Sequence, residues 1–195
     1  MTEAFRRRSL LVCFASAAVA TGCRSPNPEL YTVAAVPGRP QPGGPKVVAV
    51  REVSLARYLE RQAIVRSSEG YQLQVEANDW WGETPGAMVT RVLEENLAQR
   101  LPGTSVFGEG GAIGANADAT VELNIMRMDA DRTGAVILAA QVAVSPTKGR
   151  HPPITRAVRF SVQPPSPDVR GEVSAISTAL GQLADVVATM LRSLR

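Results

Sequence analysis

From Tyr71 the chain alternates with a period of two: Tyr71, Leu73, Val75 and Ala77 are apolar, and Gln72, Gln74, Glu76 and Asn78 are polar. That pattern predicts a strand with one face packed and the other in water. Two adjacent indoles, Trp80 and Trp81, follow Asp79, and then comes Thr84-Pro85. A capping hydroxyl before a proline is a helix start, because the first helical N–H has no partner to lose. The helix predicted from Pro85 carries Val89, Val92, Leu93 and Leu97 on one stripe, and Pro102-Gly103 stops it before Ser105-Val106-Phe107 turns extended again. Strand, helix and strand in that order predict a parallel pair joined by a right-handed crossover.

The pattern on either side of this unit supplies further elements. Tyr31 to Val36 is a strand candidate, and the Pro/Gly-rich stretch from Pro37 to Pro45 is a loop or spacer. Lys46 to Val50 is a nearly continuous apolar run, as in a central strand covered on both faces. The segment around Tyr58 suits a helical turn. Thr120 to Met128 alternates with Val121, Leu123 and Ile125 inward, Asp129 to Gly134 reads as a hairpin loop, and Ala135 to Val144 is apolar on both faces, as in a mid-sheet strand. Val158, Phe160 and Val162 line one face of another strand. Ser166-Pro167-Asp168 then opens a second helix, whose seam of Val169, Val173, Ile176, Leu180, Leu183, Val187 and Met190 repeats every three or four residues. Gly181 interrupts the seam and points to close packing on the sheet. The elements sum to a single α+β domain, a mixed sheet of about five to seven strands with two main helices on one face.

The N-terminus changes the picture of where this domain sits. Arg6-Arg7-Arg8, an apolar run from Leu10 to Val19, and Ala20-Thr21-Gly22-Cys23 have the order of a lipoprotein signal: charged region, apolar region, small residues, cysteine. The run is shorter than the roughly 20 residues a transmembrane helix needs. The expected organisation is a signal peptide over 1–22, a lipidated tether over 23–30 with Cys23 as the acylated residue, and the domain over 31–195. Cys13 leaves with the signal, so no internal disulfide is possible. Residues 1–22 carry three arginines and one glutamate, so of 21 basic and 18 acidic residues the remainder keeps 18 against 17. With a net charge of +1 and no basic stripe interleaved with aromatics, the domain has no nucleic-acid footprint.

Tyr58-Leu59-Glu60-Arg61 with Ile64-Val65, Trp81 with Glu83 ahead of the helix, and Val92-Leu93-Glu94-Glu95-Asn96-Leu97 together resemble the PqiC/YmbA-type auxiliary lipoproteins. The resemblance implies an accessory of an MCE-type lipid transport system between two bacterial membranes, with an MCE-type periplasmic protein as partner and an outer-membrane anchor; Arg24 is not the aspartate that would retain it at the inner membrane. It also implies that Trp81, at the position of the family's tryptophan, is structural and buried, and that Trp80, where the family pattern has an arginine, is exposed.

Candidate chemistry is sparse. Gly108-Glu109-Gly110-Gly111-Ala112-Ile113-Gly114 has glycines without the G-x-G-x-x-G spacing, and it leads into a strand, so it is a flexible turn and no phosphate loop. The one histidine, His151, sits in a Gly/Pro-rich turn, and no second histidine or spare cysteine completes a metal site. Glu60, Glu83, Glu94 and Glu95 read as solubilising carboxylates. No enzyme, cofactor or metal is expected. Tyr58, Arg61 and Trp80 have the composition of a partner-binding hot spot and are the candidate docking residues. The long C-terminal seam is a core stripe, with a homo-oligomer as the other use of such a stripe.

Overall fold

The alternating run at Ala119 becomes β7 (Ala119–Ala130), which pairs antiparallel with β8 (Val136–Pro146); β9 (Ile154–Val162) adds antiparallel to β8. The computed structural model describes residues 27–111, 115–149 and 152–194. Along the other side of β7 lie three short segments, all parallel to it: β2 (Val47–Val50) beside Ala119–Val121, β3 (Ser54–Leu55) beside Asn124 and Ile125, and β4 (Ala63–Ser67) beside Ala130. They behave as one interrupted strand, with a 3-10 turn at Arg57–Leu59 filling the second gap. β6 (Ser105–Gly108) extends the sheet beyond β2, parallel to it. At the other end β5 (Gln74–Trp81) pairs antiparallel with β4, and β1 (Glu29–Tyr31) pairs parallel with β5. The described residues thus hold nine strands, more than the five to seven expected, because one strand position is built from three fragments.

Both helices, α1 (Pro85–Arg100) and α2 (Val169–Arg192), lie on the same face, α1 against β3 and β6 and α2 against β7, β8 and β9. Val121, Ile125, Leu138, Ala140 and Val144 from the sheet meet Val89, Val92, Leu93 and Leu97 of α1 and Leu180, Leu183 and Val187 of α2, all with no exposed area. At about 1.5–3 kcal/mol for each large aliphatic side chain removed from water, this layer is the main source of stability. The seam of α2 is spent inside this core. Though α2 is long and apolar enough by composition to span a bilayer, most of it is buried in the fold. Its start is set by Asp168, whose carboxylate accepts from the Gly171 N–H at 2.8 Å.

Several expectations are corrected. β5 and β6 run antiparallel to each other, since β5 opposes β4 while β4, β7, β2 and β6 share a direction. β5 and β6 both lie on the outer side of the interrupted strand, beside β4 and β2, and the helix between them makes no right-handed parallel unit. The alternating residues Tyr71, Leu73, Val75 and Ala77 are exposed, because neither helix covers that end of β5; Tyr71 lies in a 3-10 turn (Glu69–Tyr71), and the strand begins only at Gln74. Thr84 precedes α1 as expected, but its hydroxyl caps nothing; its carbonyl accepts from Met88 N–H at 3.0 Å instead.

The stretch from Thr32 to Pro45 continues no strand and hangs free nowhere: it forms a strap across the outer side of both helices. Val33 is buried, Ala34 N–H donates to Ser177 Oγ at 3.2 Å on α2, Val36 N–H donates to Asn96 Oδ1 at 3.0 Å on α1, and Gln41 N–H donates to the Arg100 carbonyl at 2.6 Å. Beneath it the Arg100 side chain is almost wholly buried, donating to Asp185 Oδ1 at 2.7 Å, the Val36 carbonyl at 3.0 Å and Asn96 Oδ1 at 3.1 Å. Gly38 passes so close that an added Cβ would sit 2.2 Å from the guanidinium carbon. Gly181 also serves the strap and not the sheet: its missing Cβ makes room for Val36, 3.2 Å from where that carbon would stand.

Candidate docking site

Tyr58 sits in the 3-10 turn between β3 and β4, where the interrupted strand leaves the sheet edge and the backbone gains freedom to turn a side chain back over it. It is half-buried, and its hydroxyl donates to Asp129 Oδ2 at 2.7 Å. Burial, and then the Asp129 carboxylate, push the Tyr58 phenol up to about 12. Asp129 itself lies in β7, not in a loop as the sequence suggested, and is fully buried; it also accepts from Ser68 Oγ at 2.8 Å and Arg127 Nε at 2.9 Å. Arg127 reaches on to Glu69 at 2.8 Å. The buried carboxyl group is tolerated here because three donors surround it, one of them the Arg127 guanidinium.

The other candidate residues form a second group. Arg61 is exposed in the turn before β4. Trp80 lies in β5 opposite Ala63 on one side and Leu30 on the other, half-buried, with its indole N–H donating to the Ala77 carbonyl at 3.1 Å. Trp81 is buried in the core, and its backbone N–H donates to the Gln62 carbonyl at 2.7 Å. The backbone therefore brings Arg61-Gln62 beside the two indoles, while Tyr58 is tied to Asp129 and the end of β7. Trp80 is less open than a solvent-facing arginine position implies, since Leu30 and Ala63 flank it.

Sequence reasoning missed Asp129, Arg127, Ser68 and Glu69. Alternation could not have found them, because a register shift between Ile125 and Arg127 breaks the period of two and sets Arg127 and Asp129 opposite Ala139 and Ile137, off the face of Ile125. Also missed was Glu172 in the first turn of α2, only 2% exposed, with Arg66 Nε 2.6 Å from its carboxylate. Burial pushes this carboxyl up to about 7; Arg66 opposes the rise, and Asp129 and Glu76 add to it. Both acids stabilise or strain the fold at the end of the sheet where β4 and β7 finish.

No cluster of His, Cys, Asp and Glu among the described residues is arranged to hold a metal. His151 and Cys23 lie outside the described residues. Glu83 and Glu95 are spent on Arg91, at 2.7 and 3.1 Å. An open groove of about 720 Å³ runs over the helix-free face of the sheet, lined by Arg51, Glu122, Asn124, Gln141, Thr155 and Arg156 among others. It carries these polar side chains over a wall that is otherwise apolar and lies open to solvent, unlike the enclosed pockets that bury small molecules.

Known structures share this fold. A crystal structure of an uncharacterized protein aligns with a TM-score of 0.70 at 16% identity, over 84% of this chain and 98% of its own. A protein from Xanthomonas campestris aligns with a TM-score of 0.65 at 16% identity, over 83% of this chain and 94% of its own. A PelC dodecamer from Paraburkholderia phytofirmans is more distant, with a TM-score of 0.43 and 11% identity over 78% and 95% of the two chains. No curated protein matches this sequence. The family model described as the ABC-type transport auxiliary lipoprotein component matches residues 30–188, from β1 to the last turns of α2, and the chain belongs to that family, of the PqiC/YmbA type that its central stretch resembles.

Proposed function

We propose that this protein is a non-catalytic docking component of an MCE-type intermembrane lipid transport system, held at the outer membrane through a lipidated Cys23 and facing the periplasm. The family supports a transport accessory, and one observation favours docking over carrying: the space between helices and sheet, where a carrier would seat an acyl chain, is filled by Val121, Ile125, Leu138, Leu93, Leu97, Leu180 and Leu183, all without exposed area. The partner surface is the edge formed by Arg61 and Trp80, with Tyr58 fixing the turn that carries Arg61. A homo-oligomer, if formed, must use another surface than the α2 seam, which is buried.

Capture by an MCE protein, measured with the lipidated chain and its Arg61→Ala and Trp80→Ala variants, tests this reading. Loss of about 2 kcal/mol or more of binding, with unfolding unchanged, is expected for an anchor in a hot spot. Wild-type capture by both folded variants would remove this edge from the interface. Palmitate labelling of wild type and Cys23→Ser checks the anchor separately; equal labelling would overturn it.

A further inference from the structure

The end of the sheet carrying the β4–β5 hairpin tip displays an apolar group that the fold does not use. Tyr71 is fully exposed at the tip, and Leu73 just before β5 and Val75 within it follow with more than a third of their surface open. Among the described residues, Tyr71 is also the non-glycine residue with positive φ, +66°, next to Gly70 at +68°. A bulky side chain in the left-handed region is an outlier. The strain is not compensated by packing, because the ring touches solvent. Beside the tip stands the β7–β8 turn, level with it because Ser67 of β4 pairs with Ala130 of β7; its Arg132 is 79% exposed and 3.5 Å from Glu69.

Strand directions place the incoming chain at this same end. β1 is parallel to β5 and β5 antiparallel to β4, so the residues before Glu29 leave the sheet in the direction in which β4 runs toward the tip. β1 covers only Asp79 to Trp81 of β5, and Leu30 within it is 67% exposed. Ala63 is level with Trp80 and Leu30, and β4 from Ala63 to Ser67 spans about 13 Å at the rise of a strand, with the turn at Glu69–Tyr71 beyond it. The tip therefore projects more than about 13 Å beyond Leu30. The seven residues from Leu30 back to Cys23 reach at most about 25 Å when fully extended. With the tether drawn out in the direction that β1 gives it, an anchor on Cys23 leaves the tip no more than about 12 Å from the surface it is anchored in.

We infer that the β4–β5 hairpin tip is a membrane-contact element: Tyr71, Leu73 and Val75 enter the headgroup region of the bilayer that carries the lipid anchor, with Arg132 at the phosphates. Tyrosine suits this place, with an apolar ring and a polar end at the boundary. The contact fixes how the domain stands on the membrane, which an anchor at one point of the chain does not. The inference rests on the lipid anchor proposed above.

The test uses the full-length gene product, processed and lipidated in cells and then reconstituted into vesicles of phosphatidylethanolamine and phosphatidylglycerol. Tyr71→Cys, Leu73→Cys and Lys148→Cys variants each carry an environment-sensitive fluorophore; Lys148 is exposed in the loop after β8, at the opposite end of the sheet. A several-fold rise in emission at positions 71 and 73, quenched by spin-labelled lipid, with a water-like signal at 148, is expected. A water-like signal at 71 and 73 in protein that is palmitate-labelled and vesicle-bound would overturn the contact while leaving the anchor intact. Absence of palmitate on the wild-type protein would remove the anchor and the inference with it. A shielded but unquenched label at 71, with cross-links between copies, would give the tip to a second copy of this chain and overturn the membrane contact.

Discussion

The strap over the helices and the β4–β5 hairpin are opposites in what they do with their residues. The strap is composed of the residue types that mark loops, yet it is held on both helices, covers a buried arginine, and leaves room only for glycine at Gly38. The hairpin is composed of the residue types that mark a packed strand, yet its Tyr71, Leu73 and Val75 face water. Composition describes what a segment is able to bury; the opposing surface decides whether it does. The strap has two helices beneath it, and the hairpin outgrows the sheet that would cover it.

The largest effect expected from breaking this contrast is on the strap side. Arg100→Ala removes the partner of Asp185, Asn96 and the Val36 carbonyl at once and leaves a cavity under Gly38, so it should cost about 3–5 kcal/mol in denaturant unfolding. A cost below about 1 kcal/mol would mean the strap is decoration. Next comes the pH dependence at the hairpin's base. Because the Glu172 carboxyl is raised from 4.5 to about 7 in the fold, the native state holds that proton more tightly than the unfolded chain. Its contribution is present below pH 4.5 and is lost as pH rises toward 7, a change of about 3 kcal/mol. Glu172→Gln should lack this decline, so the difference between the two stability curves should grow from pH 4.5 to 7 and then stay level. A constant difference would show that Arg66 keeps the carboxylate ionised throughout.

A smaller effect is expected at Tyr58→Phe, which strips one donor from the buried Asp129 and leaves Ser68 and Arg127 in place: about 1–2 kcal/mol by thermal or chemical unfolding. Partner capture by the same variant should weaken as well, since this bond fixes the turn that carries Arg61. The smallest effect is at the tip. Tyr71→Gly relieves the positive φ without emptying any packed volume and should be neutral or stabilising by up to about 1 kcal/mol. A loss of more than 1 kcal/mol would mean the ring supports the fold after all.

These regions also explain what was legible in the sequence. The β7–β8–β9 sheet and α2 were readable because every apolar position of their patterns meets an opposing apolar surface; Val121, Leu123 and Ile125 point inward and the whole α2 seam is buried. The orientation of β5 against β6 was not, because a connecting helix lets the chain return to the same side of the sheet in either direction. Nor did the alternation at Tyr71 reveal its own lack of a cover, since a period of two states which residues share a face and nothing about a neighbour. At the candidate site Trp81 and Arg61 carry recognisable signals, but Asp129 looked like turn material, and only the β7 register turns it into a buried acceptor for Tyr58.

The three-residue β1 has a mechanical consequence. It lies parallel to β5, from Glu29 beside Asp79 to Tyr31 beside Trp81, and the Tyr31 carbonyl also accepts from the Gly82 N–H at 2.8 Å. A pull on the N-terminal chain toward the hairpin end acts along the strand axis, so these bonds are loaded together in shear and none is peeled open before its neighbour. Behind them the strap's bonds to Ser177 and Asn96 lie next in line. Tension would therefore reach the helices only after the whole β1–β5 contact had yielded, so that an element too short to add much thermodynamic stability serves as a force-bearing joint between chain end and core.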